Sequence, residues 1–584
     1  MLAKRVWSFL FLAVAAFYLY GLGAVPLVGP DEPRYAQVAR EMLARHDLIT
    51  PTLGGLPWFE KPPLLYWMMM ASYRVFGVSE FSARLGPGIC GLLTAVFVYW
   101  IAASVRDPTP GSPDGQPGWG GTVREGAASL DQSPQGDLPQ YSALALLSCL
   151  GVIAFARAAS FDIVLTMTVT GALACVFGWC VRSARAGSAR IPAGGSPASL
   201  PVVDTERSPT AGLLFAFYFF IGLSLLAKGL IGIVIPFGVI AVYSLLRREW
   251  PPRKFVVSLL WGVPLTLAIA AVWYGPMIAR HGWTFIDQFI IQHHFARFAT
   301  NKYHHPAPFY FYLPVLALLA LPWTAELGAA FVSARRWDWR GDAPLDRLRV
   351  FSLAWIVVPV IFFSFSGSKL TAYILPVMPA VALLSGERLT CFLRAGRGDK
   401  VTRLTGALLI ALALIGAWYS VRHLHLSSLC LGGALLPLVV VGAAALFHPQ
   451  MRKALFVLIP VATFVAAAVA INCAAPVAAR TESVRDLLAT ASARGYGAAR
   501  VVQLHNIERT AEFYAAGRVD YGPDGEPIKL EGVTEVANAA RLSGGVVLCF
   551  VPTAYESQLT SYPKIQAAVV ASNGRVSLVI VRVP

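Results

Sequence analysis

Apolar positions in this chain neither alternate nor recur every third or fourth residue. They run on for stretches separated by short polar breaks. Crossing the hydrocarbon layer of a membrane takes about 20 apolar residues, and about thirteen stretches approach that length. They lie near 7–27, 82–104, 141–157, 162–182, 211–227, 229–246, 256–279, 309–332, 350–366, 371–392, 403–421, 427–447 and 454–474. The first begins behind Lys4 and Arg5 and ends in "VPLVGPDEP". It is too long for the core of a cleavable signal peptide and reads as a retained first span.

The loops alternate in charge. Lys4/Arg5, Arg106, Arg182/Arg185/Arg190, Arg247/Arg248/Arg253/Lys254, Arg335/Arg336/Arg340, Arg394/Arg397/Lys400 and Arg452/Lys453 occupy every second loop, which therefore reads as cytoplasmic. The intervening loops, above all 28–80 and 280–308, read as the outer face. An odd number of spans places the N-terminus inside and the C-terminus outside.

Two inner loops, 105–140 and 184–209, are rich in Gly, Pro and Ser and read as linkers. After residue 475 the pattern changes. "ESVRDLLATASARG" has helical spacing, while "ARVVQL", "GGVVLCFV" and "RVSLVIVRV" are short β-branched runs that suit strands. The predicted architecture is a polytopic α-helical membrane domain over 1–475, with interfacial helices on the outer side, and a small α/β domain over 476–584.

Composition supports this division. Of the 584 residues, 56% are hydrophobic and only 14% charged, against about 25% charged in soluble domains. Mean hydropathy is +0.60. The net charge of +16 is accounted for by inner loops, so no nucleic-acid partner is implied. None of the eight cysteines falls in a CxxC pair or metal-type spacing. Cys90, Cys149, Cys175, Cys180 and Cys430 lie in apolar runs and read as small packing residues. Cys473 and Cys549 fall on the outer side, with no pairing legible.

Candidate chemistry collects on the outer side. In "GPDEPRYAQVAREML" two acids precede a proline suited to a first helical turn, and Asp31 or Glu32 can cap the free N–H groups. Tyr35, Val38, Ala39 and Met42 then share one face, which predicts an amphipathic helix on the membrane surface. Glu60 and Lys61 follow in "LPWFEKPPLLYW". Asp162 tops one span. Lys228 stands in an apolar hairpin, where an ionisable group signals function. The loop 280–308 carries His293, His294 and Arg297, and "GSKLTAYILP" adds Lys369 and Tyr373. Cations at headgroup depth suit a phosphate, a carboxylate among them suits a general base, and adjoining apolar runs suit a lipid tail. The ligand these features describe is a lipid-linked phosphate.

The segments "GPDEPRYAQVAREML", "LPWFEKPPLLYWM", "FGVSEFSARL", "SFDIVLT", "LLAKGLIG", "HHFARF", "HPAPFYFYLP" and "GSKLTAYILPVMPA" occur in this order. Over roughly residues 1–400 the chain resembles the bacterial polyprenol-phosphate-dependent GT-C glycosyltransferases, the aminoarabinose transferases of lipid A and, more distantly, the protein O-mannosyltransferases. The resemblance implies an inner-membrane enzyme that moves a sugar from undecaprenyl or another polyprenyl phosphate to an envelope acceptor on the periplasmic face. It implies Asp31 as the base, with Arg34, Lys61, Lys228, Arg297, Tyr373 and Lys369 around the donor phosphate. Glu32 and Asp162 would be further polar groups of the site. It admits a divalent metal (zinc, magnesium or manganese) at Glu60 with His293 and His294, and no other cofactor. The chain departs from the aminoarabinose transferases at His293, where an acid is usual, which weakens the carry-over of sugar and acceptor; the sugar is read as aminoarabinose, a hexose or similar, and the acceptor as one such as lipid A. Protein Ser/Thr and envelope polysaccharide remain alternatives to lipid A. A lipid-sugar flippase is the rival of a different class, although no repeated halves are visible.

Overall fold

The computed structural model describes residues 2–106, 137–188, 209–296, 307–395 and 398–583. Both predicted linkers fall largely outside these residues, as does 297–306 with Arg297. In chain order the membrane part contains α1 (Leu2–Leu19), α2 (Asp31–Ala44), the hairpin strands β1 (Thr52–Leu53) and β2 (Leu56–Pro57), α3 (Leu64–Phe76), α4 (Glu80–Ser104), α5 (Leu138–Ser148) and α6 (Leu150–Ala156). It continues with α7 (Phe161–Ser188), α8 (Pro209–Lys228), α9 (Ile231–Arg247), α10 (Arg253–Phe285), α11 (Tyr312–Leu319), α12 (Thr324–Ser333), α13 (Pro344–Ser364), α14 (Met378–Ala395), α15 (Asp399–Tyr419), α16 (Ser428–Phe447) and α17 (Arg452–Val469).

Among the described residues nine helical segments are long and apolar enough to cross a membrane, two more candidates are bent pairs, and two apolar helices are shorter. Each predicted apolar run coincides with one of these. The chain is a multi-pass membrane protein.

Two predicted spans are not straight. The run 141–157 bends by 63° between α5 and α6, and 309–332 by 118° between Phe309–Leu319 and Thr324–Arg336. Pro322 disfavours helix at the residue before it. The two breaks satisfy each other. Leu150 N–H donates to the Leu321 carbonyl at 2.8 Å, and the Trp323 indole donates to Ser148 Oγ at 2.8 Å. Apolar-run length is blind to such breaks because the composition on either side is unchanged.

The chain end forms α18 (Ala475–Glu482), α19 (Arg485–Ala491), β3 (Arg500–Leu504), α20 (Ala511–Tyr514), β4 (Lys529–Leu530), α21 (Val533–Leu542), β5 (Val546–Pro552), α22 (Glu556–Thr560), β6 (Gln566–Ser572) and β7 (Val576–Arg582). The strands order as β4-β3-β5-β7-β6, with β3 parallel to β4 and β5, and β7 antiparallel to β5 and β6. Successive residues of β5 enter opposite cores: Leu548 and Phe550 one, Cys549 and Val551 the other. Both faces are covered, so apolar residues fall at consecutive positions rather than alternate ones.

One cysteine reading changes. Cys430 is not a packing thiol but is joined to Cys473, 6.0 Å apart at Cα, across 43 residues. Cys549 is a free thiol buried in the sheet. Alkylation under denaturing, non-reducing conditions should therefore modify six cysteines, and all eight after reduction. Loss of a native bridge typically costs about 2–5 kcal/mol, so Cys473→Ser should lower the unfolding midpoint.

Candidate active site

The first turn of α2 distributes its two acids differently from the sequence reading. Pro30 occupies the N-cap position, and no side chain caps the helix. Asp31 accepts from Arg34 Nη2 at 2.9 Å. Glu32 turns inward, 9% exposed, to meet Arg84 of α4 in a two-pronged ion pair of 2.7 and 3.0 Å. Its carboxylate also accepts from the N–H groups of Val28 and Ala159. The structure thus makes Glu32 a brace between α2, α4 and the α6–α7 turn, not a ligand-facing group. The predicted apolar face of α2 is buried as expected, but against protein: Tyr35, Val38, Ala39 and Met42 belong to the central core, and the helix packs on α3 and α20.

One cavity of about 410 Å³ gathers most of the predicted residues, within the ~300–1,000 Å³ usual for small-molecule sites. Asp31, Glu60, Lys61, Asp162, Lys228, His293 and Tyr373 all line it. Lys228 is not solitary. It closes the end of α8 onto the Asp162 carboxylate and sits 4.7 Å over the Tyr373 ring. Ser160, two residues before Asp162, accepts from the Asp162 N–H, so Asp162 does not cap its own helix and its carboxylate is available to the lysine. Lys61 donates to Glu60 at 3.1 Å. The rest of the lining is largely apolar, with Leu230 just before α9, Ile231 and Val234 of α9, and Phe362 and Phe363 of α13.

Two predicted residues stand just outside. Arg34 bonds Asp31 and the Pro30 carbonyl and lies 5.5 Å over Trp58. Burial works against its charge, but Glu60 and Asp31 outweigh burial and hold the guanidinium above its ordinary value. Lys369 donates to the Ser366 carbonyl at 2.8 Å, and its neighbours Ser366 and Leu370, rather than Lys369 itself, reach the cavity. The His294 side chain and Arg297 lie outside the described residues.

Sequence reasoning missed several lining residues. Tyr35 was assigned only to packing; burial first, then Asp31 and Glu60, push its hydroxyl pKa up. Phe161, Leu230 and Ser366 adjoin predicted polar residues in the chain, a signal that could have found them. Nothing in the sequence marks Phe362 or Phe363.

Glu60 and His293 share the cavity, but among the described residues no three His, Cys, Asp or Glu side chains gather as a metal-binding group. A divalent ion there would need a further ligand.

The described residues thus form a many-helix membrane bundle with a small sheet domain and a cavity with both polar and apolar lining. Residues 6–106 match the family model described as dolichyl-phosphate-mannose-protein mannosyltransferase. The chain is 31% identical over 425 residues to the undecaprenyl phosphate-α-4-amino-4-deoxy-L-arabinose arabinosyl transferase of Pseudomonas aeruginosa strain LESB58, covering 71% of this chain and 66% of that one. With the enzyme of the same name from Yersinia enterocolitica the identity is 29% over 385 residues, 65% of this chain and 58% of the relative. The matched region thus spans less than two thirds of these relatives' length. The crystal structure of ArnT from Cupriavidus metallidurans bound to undecaprenyl phosphate superposes with a TM-score of 0.73 at 22% identity, covering 98% of both chains. The chain is thus similar in sequence to the aminoarabinose transferases over the matched region, to the protein mannosyltransferase model over residues 6–106, and in fold to ArnT.

Proposed function

We propose that this protein transfers a sugar from a polyprenyl phosphate, such as undecaprenyl phosphate, to a bacterial envelope acceptor such as lipid A. The observation that carries the reading is the cavity's division of labour. Lys61 and Lys228 line it, each paired with a carboxylate; Asp31 lines it with Arg34 as its partner instead; and Leu230, Ile231, Val234, Phe362 and Phe363 give it apolar lining that suits the first isoprene units of a lipid tail. The relatives are named as arabinosyl transferases of an undecaprenyl phosphate-linked sugar, and the superposed ArnT is bound to undecaprenyl phosphate.

The chemistry follows from these groups. Asp31 takes the proton from an acceptor hydroxyl. The resulting oxygen attacks the anomeric carbon from the face opposite the phosphate. The carbon–oxygen bond to phosphate breaks, the electron pair leaves with polyprenyl phosphate, and the anomeric centre inverts. Lys61 and Lys228 each carry three donors, so each can keep its carboxylate and still hold a phosphate oxygen. Fixed cations there stabilise the charge that grows on the leaving group. If a divalent ion binds at Glu60 and His293, it would supply further positive charge to the same oxygens.

The loop charges support an inner-membrane location with the N-terminus cytoplasmic and the site and residues 476–584 periplasmic. The Cys430–Cys473 bridge joins segments assigned to that outer side, where disulfides persist.

Hydrogen bonds to charged groups contribute about 1.5–3 kcal/mol. Lys228→Ala or Lys61→Ala should therefore weaken donor binding roughly 10- to 100-fold, measured by titration with polyprenyl phosphate. Lys369→Ala, outside the cavity, should change it less than threefold. Equal effects from all three would refute the assigned phosphate position. Mass spectrometry of lipid A, glycoproteins and envelope glycans from a deletion strain identifies the acceptor, because only its mass falls by one sugar.

A further inference from the structure

The segment 28–61 carries Asp31, Glu60 and Lys61, yet it contains little that could fix its own shape. Its hairpin pairs only Thr52 with Pro57 and Leu53 with Leu56, and two-stranded ribbons are marginal alone. The turn is Gly54-Gly55, both with positive φ, 61° and 78°. Glu41 of α2 accepts from both turn N–H groups, at 2.8 and 3.0 Å.

Residues 47–49 are held from the membrane helices, where the Trp67 and Trp273 indoles donate to the Leu48 and Ile49 carbonyls at 2.9 and 2.7 Å and Arg280 pairs with Asp47; the turn itself and the outer side of α2 are held from the sheet domain. The Tyr521 ring lies so close to Gly54 that a Cβ there would sit 2.0 Å from it. Tyr521 donates to Glu512 at 3.1 Å, and buried Glu512 lies within electrostatic reach of Arg34, the partner of Asp31. From α20, the Phe513 carbonyl accepts from Arg40 at 2.7 Å, and its ring lies 4.1 Å beneath that guanidinium. Tyr514 accepts from Leu27 N–H at 2.7 Å and donates to Glu80 at 2.9 Å. The domain thus grips the chain on both sides of the site: just before Asp31, along α2, and at the turn four residues before Trp58.

We propose that the C-terminal domain is a positioning element for the outer site. Tyr521, seated on Gly54, and the Phe513–Tyr514 pair hold the hairpin and α2 in the register that brings Asp31, Glu60 and Lys61 to one cavity. The effect on turnover rests on the transferase reading; the structural effect does not.

Two adjacent glycines make a controlled test. Alanine at either incurs a similar positive-φ penalty. Only at Gly54 does the new Cβ meet Tyr521, since at Gly55 it meets nothing within 4 Å. Hydrogen–deuterium exchange of residues 50–61 is read in the full-length detergent-solubilised protein. Gly54→Ala should exchange at least tenfold faster than Gly55→Ala there, and its sugar-transfer kcat/KM should be about tenfold lower. Tyr521→Ala should behave like Gly54→Ala, and Tyr521→Phe, which keeps the ring, like the unaltered protein. Should Tyr521→Ala not fold, the glycine pair still decides. Equal exchange in the two glycine variants, or wild-type exchange in Tyr521→Ala, overturns the proposal. The expected exchange pattern in a protein with no transfer activity would sustain the positioning role and defeat the transferase reading.

Discussion

Replacing Asp31 by Asn is expected to lower the rate of sugar transfer by about 10²- to 10⁴-fold, the usual contribution of a positioned base, while polyprenyl phosphate binding changes less than threefold. Three carboxylates line the cavity, and their surroundings separate them. The Glu60 and Asp162 side chains are 12% and 14% exposed, and each is held by a lysine assigned to the phosphate. The Asp31 side chain is 52% exposed and bonded to Arg34 instead. It is the carboxylate an acceptor hydroxyl can reach. Asn preserves its shape and can still accept from Arg34, but it cannot take up a proton. Steady-state rates at saturating donor, with binding titrated separately, check both halves of the expectation. Weakened binding at an unchanged saturated rate would move Asp31 from catalysis to donor recognition.

Arg84→Ala is the second change of large expected effect, and it acts on folding. Arg84 is 4% exposed. Besides the two bonds to Glu32, it donates to the carbonyls of Leu22, Val25 and Pro26 at 3.0, 2.6 and 2.9 Å. It therefore ties the exit from α1, the start of α2 and the body of α4 into one unit. Truncating it leaves Glu32 charged and buried without a counter-ion, along with three carbonyls short of a donor. Breaking a buried pair in this way costs about 3–5 kcal/mol. Arg84→Lys should recover little, because an ammonium cannot reproduce the planar fork. Thermal unfolding of the purified protein should show a lower midpoint for both variants. Unchanged midpoints would mean the brace contributes nothing to the fold.

Most of the bundle was legible because span length and loop charge are strong signals that survive without knowledge of contacts. The strands β3, β5 and β7 were legible for a related reason: a short, mostly apolar, β-branched run suits a sheet covered on both sides. Pair choice was not legible. Lys228 meets Asp162 across 66 residues, and no local pattern encodes that meeting. Asp31 and Glu32 look alike in sequence, yet adjacent helical residues point in different directions, and only the position of Arg84 decides which one is buried. Arg84 itself passed unnoticed as one charge at the start of an apolar run. Cys430 was misread because a cysteine in an apolar run looks the same whether or not a partner stands opposite. The supports from the sheet domain were invisible for the same reason, since Gly54 and Tyr521 are far apart in the chain.

The central claim is sugar transfer from a polyprenyl phosphate donor, and turnover by the purified protein tests it most directly. With a polyprenyl-phosphate sugar labelled in the sugar and lipid A as acceptor, the protein should release polyprenyl phosphate and move the label to the acceptor in equal amounts, and Asp31→Asn should do neither. Movement of intact donor across vesicle membranes, with no polyprenyl phosphate released in the presence of lipid A, protein or polysaccharide acceptors, would contradict the account.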